Sequence, residues 1–302
     1  MSSLNARRWR PGRRVAIAVF LVPALLFYVL LTIYPVVQTI WNSVFEIPPR
    51  AAPVYVGLRN YAALADDRTF WLAVRHTVIW ALVAPAAEVA LGLLLALAIY
   101  AKVPWSRFFR VAWFTPVVVS YVVVAILWAW LYNYDWGLVN VGLRAVGLGG
   151  LAHSWLGEPG TALWALIGVD IWKWTGFNLI VCLAAVHGLP KEVLESAEMD
   201  NCGWGAKLVY IVIPMLAATL AGLFVLGVIG KMKVFDLVWI MTHGGPLWST
   251  ETVSTYVYKR AFDWNTFDLG YPSTIAVVWF AVILVFVLLP RLLLRTREKL
   301  EF

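Results

Sequence analysis

The sequence predicts an all-α membrane protein with six transmembrane helices, and three observations carry that expectation. The 302 residues are 62 % hydrophobic and only 14 % charged, with a mean hydropathy of +0.79. Soluble domains are about 45–50 % apolar and about 25 % charged, so a lipid solvent accounts for the excess better than one buried core. Apolar runs long enough to cross about 30 Å of hydrocarbon as helix recur at roughly 15–40, 72–100, 111–132, 161–187, 212–232 and 271–291. Lys and Arg fall in short clusters between those runs, where they act as topology signals.

The first run comes after Arg7, Arg8, Arg10, Arg13 and Arg14, a pattern shared with signal peptides. It extends from Val15 towards Val37, longer than an h-region of about 7–15 residues, and no A-x-A site succeeds it, so an uncleaved anchor is expected. Pro23, Pro35, Pro85 and Pro116 punctuate the runs. Such breaks are tolerated where neighbouring helices or water re-satisfy the backbone, so these helices should pack together or line a cavity. With the N-terminus inside, fourteen of the 24 Lys and Arg lie on the inner side and seven on the outer, with Arg75, Lys173 and Lys231 inside spans. That bias puts both termini in the cytoplasm. Residues 1–14 then form a basic cytoplasmic N-terminus, 15–291 one six-span domain, and 292–302 a cytoplasmic C-terminus.

The formal charge of +7 raises nucleic acid as a partner, but the basic residues do not share one face, and membrane lipid is the partner expected instead. Cys182 in an apolar run and Cys202 in a polar loop make no disulfide framework. His76, His153, His187 and His243 are scattered without HExxH, so neither a metal site nor hydrolysis is expected. Trp71, Trp105, Trp128, Trp130 and Trp155 fall near span ends, as an aromatic belt requires.

Between the fourth and fifth runs lies a polar loop, 189–211. Pro190 suits the first turn of a helix, acidic residues crowd the stretch after it, and Asn201-Cys-Gly203 ends it, Asn substituting for Gly at a left-handed cap. A second short segment, Trp204 to Tyr210, leads into the fifth span. An ordinary amphipathic connection would read the same way.

Ionisable residues inside spans are functional candidates because each costs several kcal/mol unless paired or wet. Arg75 sits near a span end and can snorkel. Glu88 either pairs with a basic residue of another helix or is structural. Asp170, Lys173, Trp174 and Phe177 share one helical face of the fourth span by their spacing of three and four. An Asp170–Lys173 pair that neutralises itself is the plain reading of two of them.

The loop resembles the signature loop of binding-protein-dependent ABC importer permeases: Glu-Ala-Ala, two residues, Asp-Gly-Ala, then an aromatic, Ile and Leu-Pro. Glu195, Ala197, Asp200, Ile211 and Pro214 stand at that spacing, while Ser196, Asn201, Cys202 and Leu208 depart from it. Tyr34-Pro35, Val56 to Tyr61, Thr115-Pro116, Trp172 to Gly176, Thr242 to Pro246 and Phe267 to Gly270 are similar to the sugar-type branch, which includes maltose and glycerol-phosphate permeases.

The resemblance implies a type I ABC importer permease fold and alternating access driven by a cytoplasmic ATPase dimer. The loop (Glu195, Ser196, Ala197, Asp200, Asn201, Gly203) would dock in an ATPase cleft, Glu195 facing a basic residue and Asp200 shaping the turn. It also implies a second homologous permease, an extracytoplasmic solute-binding protein, and a carbohydrate or related polyol as solute. Matching positions place Val117 and Tyr121 of the third span, Asp170, Lys173, Trp174 and Phe177 of the fourth, and Gly227 and Lys231 of the fifth along the substrate pathway. Aromatic faces with polar groups suit sugar hydroxyls. Lys231 raises an anionic solute as one option, and pairing with Glu88 or Asp170 as the other.

No GxxxxGK[ST] loop is present: Val225 stands where the first Gly of a loop ending at Gly230-Lys231 belongs. No cofactor is expected in this chain, ATP and Mg being held by the partner ATPase. The alternative class, a secondary transporter, would show buried charges too, but usually with inverted repeats and without the loop.

Overall fold

The structure, a computed structural model, describes residues 11–48, 51–101, 104–263 and 268–295. Arg7, Arg8, Arg10, Arg50, Lys102, Phe267 and the C-terminal segment from 296, with Arg297 and Lys299, lie outside the described residues. So do the side chains of Arg13, Arg14, Lys191, Arg291 and Arg295.

The chain divides into two compact units. One comprises Met1–Asp66 and Arg260–Phe280. Helix α1 (Pro11–Tyr28) runs through a π-helical turn, Val29–Ile33, into α2 (Tyr34–Asn42). Pro35 lies two residues beyond that turn, and the wider turn takes up the clash of its ring with the carbonyl four residues back. The side chains along this run are mostly exposed and apolar, as a lipid-facing helix requires. A short antiparallel hairpin, β1 (Phe45–Glu46) with β2 (Val54–Tyr55), precedes α3 (Arg59–Ala65). Asn60 donates to the carbonyls of Ser43 and Phe45, and Asp268 accepts from the amides of Ile47 and Gly270. Two motifs far apart in sequence thus satisfy one irregular stretch of backbone.

The other unit comprises Asp67–Lys259 and Ala281–Phe302. Its frame is α4 (Arg68–Tyr100), capped by Asp67, and α8 (Ala162–His187), packed along each other. Between them in sequence come α5 (Ser106–Val118), α6 (Tyr121–Leu131) and the short α7 (Leu138–Ala145). Beyond α8 come α9 (Lys191–Met199), α10 (Trp204–Lys207), a π-helical turn at Leu208–Val212 ahead of Pro214, and α11 (Ile213–Lys231). Next are α12 (Asp236–Met241) and α13 (Val253–Tyr258). The last helix, α14 (Gly270–Arg295), carries residues of both units.

Among the described residues, five helices are long and apolar enough to cross a membrane: Ile17–Asn42, Arg68–Tyr100, Ala162–His187, Trp204–Lys231 and Gly270–Leu288. The third expected span, read from sequence as one helix over 111–132, is instead bent by 105° between α5 and α6, and completes six if the pair is one span. Pro116 cannot donate in the last turn of α5, Val119 is extended, and Ser120 caps a new helix through the Val123 amide.

Two apolar cores sit at opposite ends of the α4–α8 frame. One gathers Trp80, Ala84, Leu166, Ile167 and Val169 with Val124 of α6 and Leu237 of α12. The other gathers Leu93, Ala96, Leu179, Cys182 and Leu183 with Leu216 and Leu223 of α11. Glu88, Asp170, Lys173 and Lys231, all buried, lie in the layer between them, halfway along the frame.

Candidate functional site

That middle layer is built around Asp170, which is fully buried. Its Oδ2 accepts from Trp80 Nε1 at 2.7 Å and pairs with Lys231 Nζ at 2.8 Å. Its Oδ1 accepts from the Tyr121 hydroxyl at 3.0 Å. Lys231 also reaches Glu88 Oε1 at 2.9 Å. Trp174 Nε1 donates to the Tyr121 hydroxyl, and its ring lies 5.2 Å from Lys231 Nζ. Four helices, α4, α6, α8 and α11, are therefore joined by one network in which each carboxylate has a cation or donors, as a buried charge requires. Of the two open readings of Glu88, the structure gives the interhelical pair.

Beside the network opens a cavity of about 370 Å³, towards the lower end of the about 300–1,000 Å³ typical of ligand sites. Tyr121, Trp174, Phe177, Gly227 and Lys231 line it, with Glu88 and Asn178. Gly227 is where α11 crosses α4: a Cβ there would fall 2.8 Å from Pro85 Cβ. Trp174 and Phe177 meet edge to face, centroids 5.9 Å apart. The lining thus offers aromatic faces beside a carboxylate, an ammonium and an amide.

Val117, Asp170 and Lys173 do not line the cavity. The Asp170–Lys173 pair expected from spacing is not formed. Asp170 is taken by Lys231, while Lys173 points to the end of α5 and donates to the carbonyls of Pro116 at 2.8 Å, Val117 at 3.2 Å and Val119 at 2.5 Å. An ammonium has three donors, so none remains for Asp170. Sequence reasoning left Asn178 out. A polar residue one helical turn from Trp174 in an apolar run was the available signal.

The loop after α8 forms the two short helices read from sequence. Asn201 takes the left-handed conformation, φ 53°, and the Cys202 amide donates to the Ala197 carbonyl at 2.9 Å, closing α9 in a Schellman turn. Ala197 is buried under the helix. Glu195, Ser196, Asp200, Asn201 and Gly203 are exposed. Glu195 borders a second cavity, about 430 Å³, together with Leu97, Leu189, Trp204 and Lys207. The carboxylate is therefore presented at the surface over a recess, where a partner can reach it.

At the other end of α11 the Thr242 to Pro246 motif wraps a buried ion pair. Lys259 Nζ contacts Glu251 Oε2 and donates to the His243 carbonyl at 2.6 Å. Gly244, φ 79°, leaves no room for a Cβ against Glu251 and Lys259. Desolvation holds the Glu251 carboxyl above the ordinary carboxylate range. Among the described residues no cluster of metal-ligating side chains is present.

Residues 88–297 match the family described as binding-protein-dependent transport system inner membrane component. A probable ABC transporter permease of Bacillus subtilis, YurN, is 35 % identical over 86 % of this chain and 89 % of its own length. The trehalose/maltose transport system permease MalF of Thermococcus litoralis is 30 % identical over 88 % of this chain and 89 % of its own. Among solved structures, a bacterial ABC transporter involved in import of the acidic polysaccharide alginate superposes with a TM-score of 0.78 at 23 % identity, covering 93 % of this chain and 96 % of that one.

Proposed function

The chain belongs to the binding-protein-dependent transport system inner membrane components, and from that premise we propose that the cavity beside Trp174 is the solute site of an importer for a neutral carbohydrate or polyol. It is a multi-pass inner-membrane permease of an ABC importer, a family that is not catalytic. Named relatives carry trehalose or maltose, and alpha-glucosides.

The observation that carries the reading is the composition of the middle layer. Trp174, Phe177 and Tyr121 supply faces for sugar C–H groups, and Glu88 and Asn178 supply hydrogen bonds. The charge of Lys231 is matched inside the protein by Glu88 and Asp170. That arrangement favours a hydroxyl-bearing neutral solute over an anion, for which an unmatched cation is the usual device.

Transport in this reading runs by alternating access. A cytoplasmic ATPase dimer binds ATP and Mg and pushes on the Glu195–Asp200 loop, which continues through α10 into α11 and so into the Lys231 and Gly227 wall of the cavity. A second permease supplies the other docking loop that a dimer needs, and a solute-binding protein delivers the solute on the outer side. Removing Trp174 from the assembled transporter tests the reading: uptake should fall while the protein keeps its yield.

A further inference from the structure

Lys173 is 2 % exposed and does not itself line the cavity, yet it stands at the sharp bend of a candidate span. We propose that Lys173 is a built-in cation that holds the bent third span in place and thereby positions Tyr121 in the wall of the solute cavity, a role that rests on that reading of the cavity.

A helix that stops inside an apolar layer leaves its last carbonyls without partners, and the negative end of its dipole points at the break. Here the Lys173 ammonium saturates all three of its donors on the carbonyls of Pro116 and Val117, in the last turn of α5, and of Val119, the extended residue just beyond it. In transporters driven by ion gradients, freed carbonyls at such half-helix ends coordinate the coupling cation. In this chain a cation of its own fills the equivalent place.

Two further contacts tie the bend to the cavity. Tyr121, the first residue of α6, lies with its ring 4.9 Å from Lys173 Nζ, and its hydroxyl joins Asp170 to Trp174. One helical step along α8, Gly176 lets the α5 backbone at Trp113 approach so closely that a Cβ would collide with that carbonyl. Lys173 and Gly176 together fix α5 and the start of α6 on α8, and the hydroxyl of Tyr121 then falls between the carboxylate and the indole.

The test is chemical rescue in the assembled transporter in lipid vesicles, with methylammonium present from solubilisation onward. Lys173→Ala leaves space for that ion. Its binding-protein-stimulated ATP hydrolysis should fall about tenfold or more, the consequence of stranding buried acceptors. Methylammonium at millimolar concentration should restore both the thermal midpoint and the turnover, and bulkier tetramethylammonium should restore neither. Lys173→Met, which fills the space without a charge, should show the defect and no rescue. If Lys173→Ala assembles only when methylammonium is present, that dependence supports the proposal. Methylammonium that fails to recover Lys173→Ala, that recovers its midpoint but not its turnover, or a Lys173→Met protein matching the wild type, would each overturn it. Trp174→Ala run alongside reports on the cavity separately: wild-type turnover there with rescue at position 173 removes the cavity reading and leaves the bend as assigned.

Discussion

Lys231 and Asp170, on α11 and α8, pair at 2.8 Å in the layer where the two apolar cores of the permease part, and Glu88 of α4 completes the triad at 2.9 Å. The triad has one cation for two carboxylates, and the Trp80 and Tyr121 donors on Asp170 offset the difference. Its consequences can be measured.

Lys231→Met is expected to damage the fold before it damages transport. Removing the ammonium strands two carboxylates whose side chains are 3 % and 0 % exposed, a loss of about 3–5 kcal/mol for a broken buried pair. Yield and thermal midpoint in detergent should fall together, and adding Glu88→Gln with Asp170→Asn should recover them. A single variant as stable as the wild type would show that the triad is not structural.

Gly176→Ala is expected to separate α5 from α8, since the added methyl meets the Trp113 carbonyl, which is backbone and cannot step aside. Overpacking of this kind costs about 1–3 kcal/mol. Gly222→Ala, where nothing lies within 4 Å, should be neutral or slightly stabilising. Equal thermal midpoints for the two variants would count against the close approach.

Glu195→Ala is expected to uncouple rather than unfold. The side chain is exposed at the edge of a recess, so yield, helicity and midpoint should match the wild type while uptake falls steeply. Normal uptake by a normally assembled variant would mean that the loop does not transmit the ATPase stroke.

Lys259→Met is expected to release the loop of residues 242–252. Glu251 is fully buried and would lose its cation, and the turn at Gly244 and His243 is held by the same ammonium. Limited proteolysis should then cut within 242–252, with Lys259→Met combined with Glu251→Gln more resistant than the single change. Equal resistance of the single variant and the wild type would contradict this.

Many of these features were legible in the residues. The helices of α4, α8 and α11 arise from long apolar runs, and the left-handed Asn201 from the Asn-Cys-Gly sequence after an acidic helix. The bend at Val118 to Ser120 was not, because Pro116 permits a kink without setting its angle. The partners of the buried charges were not legible either. Spacing of three residues put Asp170 beside Lys173, but pairing depends on which neighbouring helix brings an ion or a set of carbonyls closer. That is decided by the crossing of α11 over α4 at Gly227 and of α5 over α8 at Gly176, close approaches that a single sequence does not announce. Asn178 was legible in part, since it lies one helical turn from Trp174 in an apolar run, but its place in the cavity lining depends on how the helices pack.

The solute site is put to its sharpest test by uptake through the assembled transporter carrying Trp174→Ala, with Trp164→Ala as the control. Both are tryptophans of α8, but Trp174 lines the cavity while Trp164 is 54 % exposed on the apolar exterior. With solute-loaded binding protein in saturating amount, Trp174→Ala should lose about tenfold or more of the uptake, the loss of one aromatic contact. Trp164→Ala should transport as the wild type, and both should keep wild-type yield. Wild-type uptake by Trp174→Ala would place the solute path elsewhere in the protein.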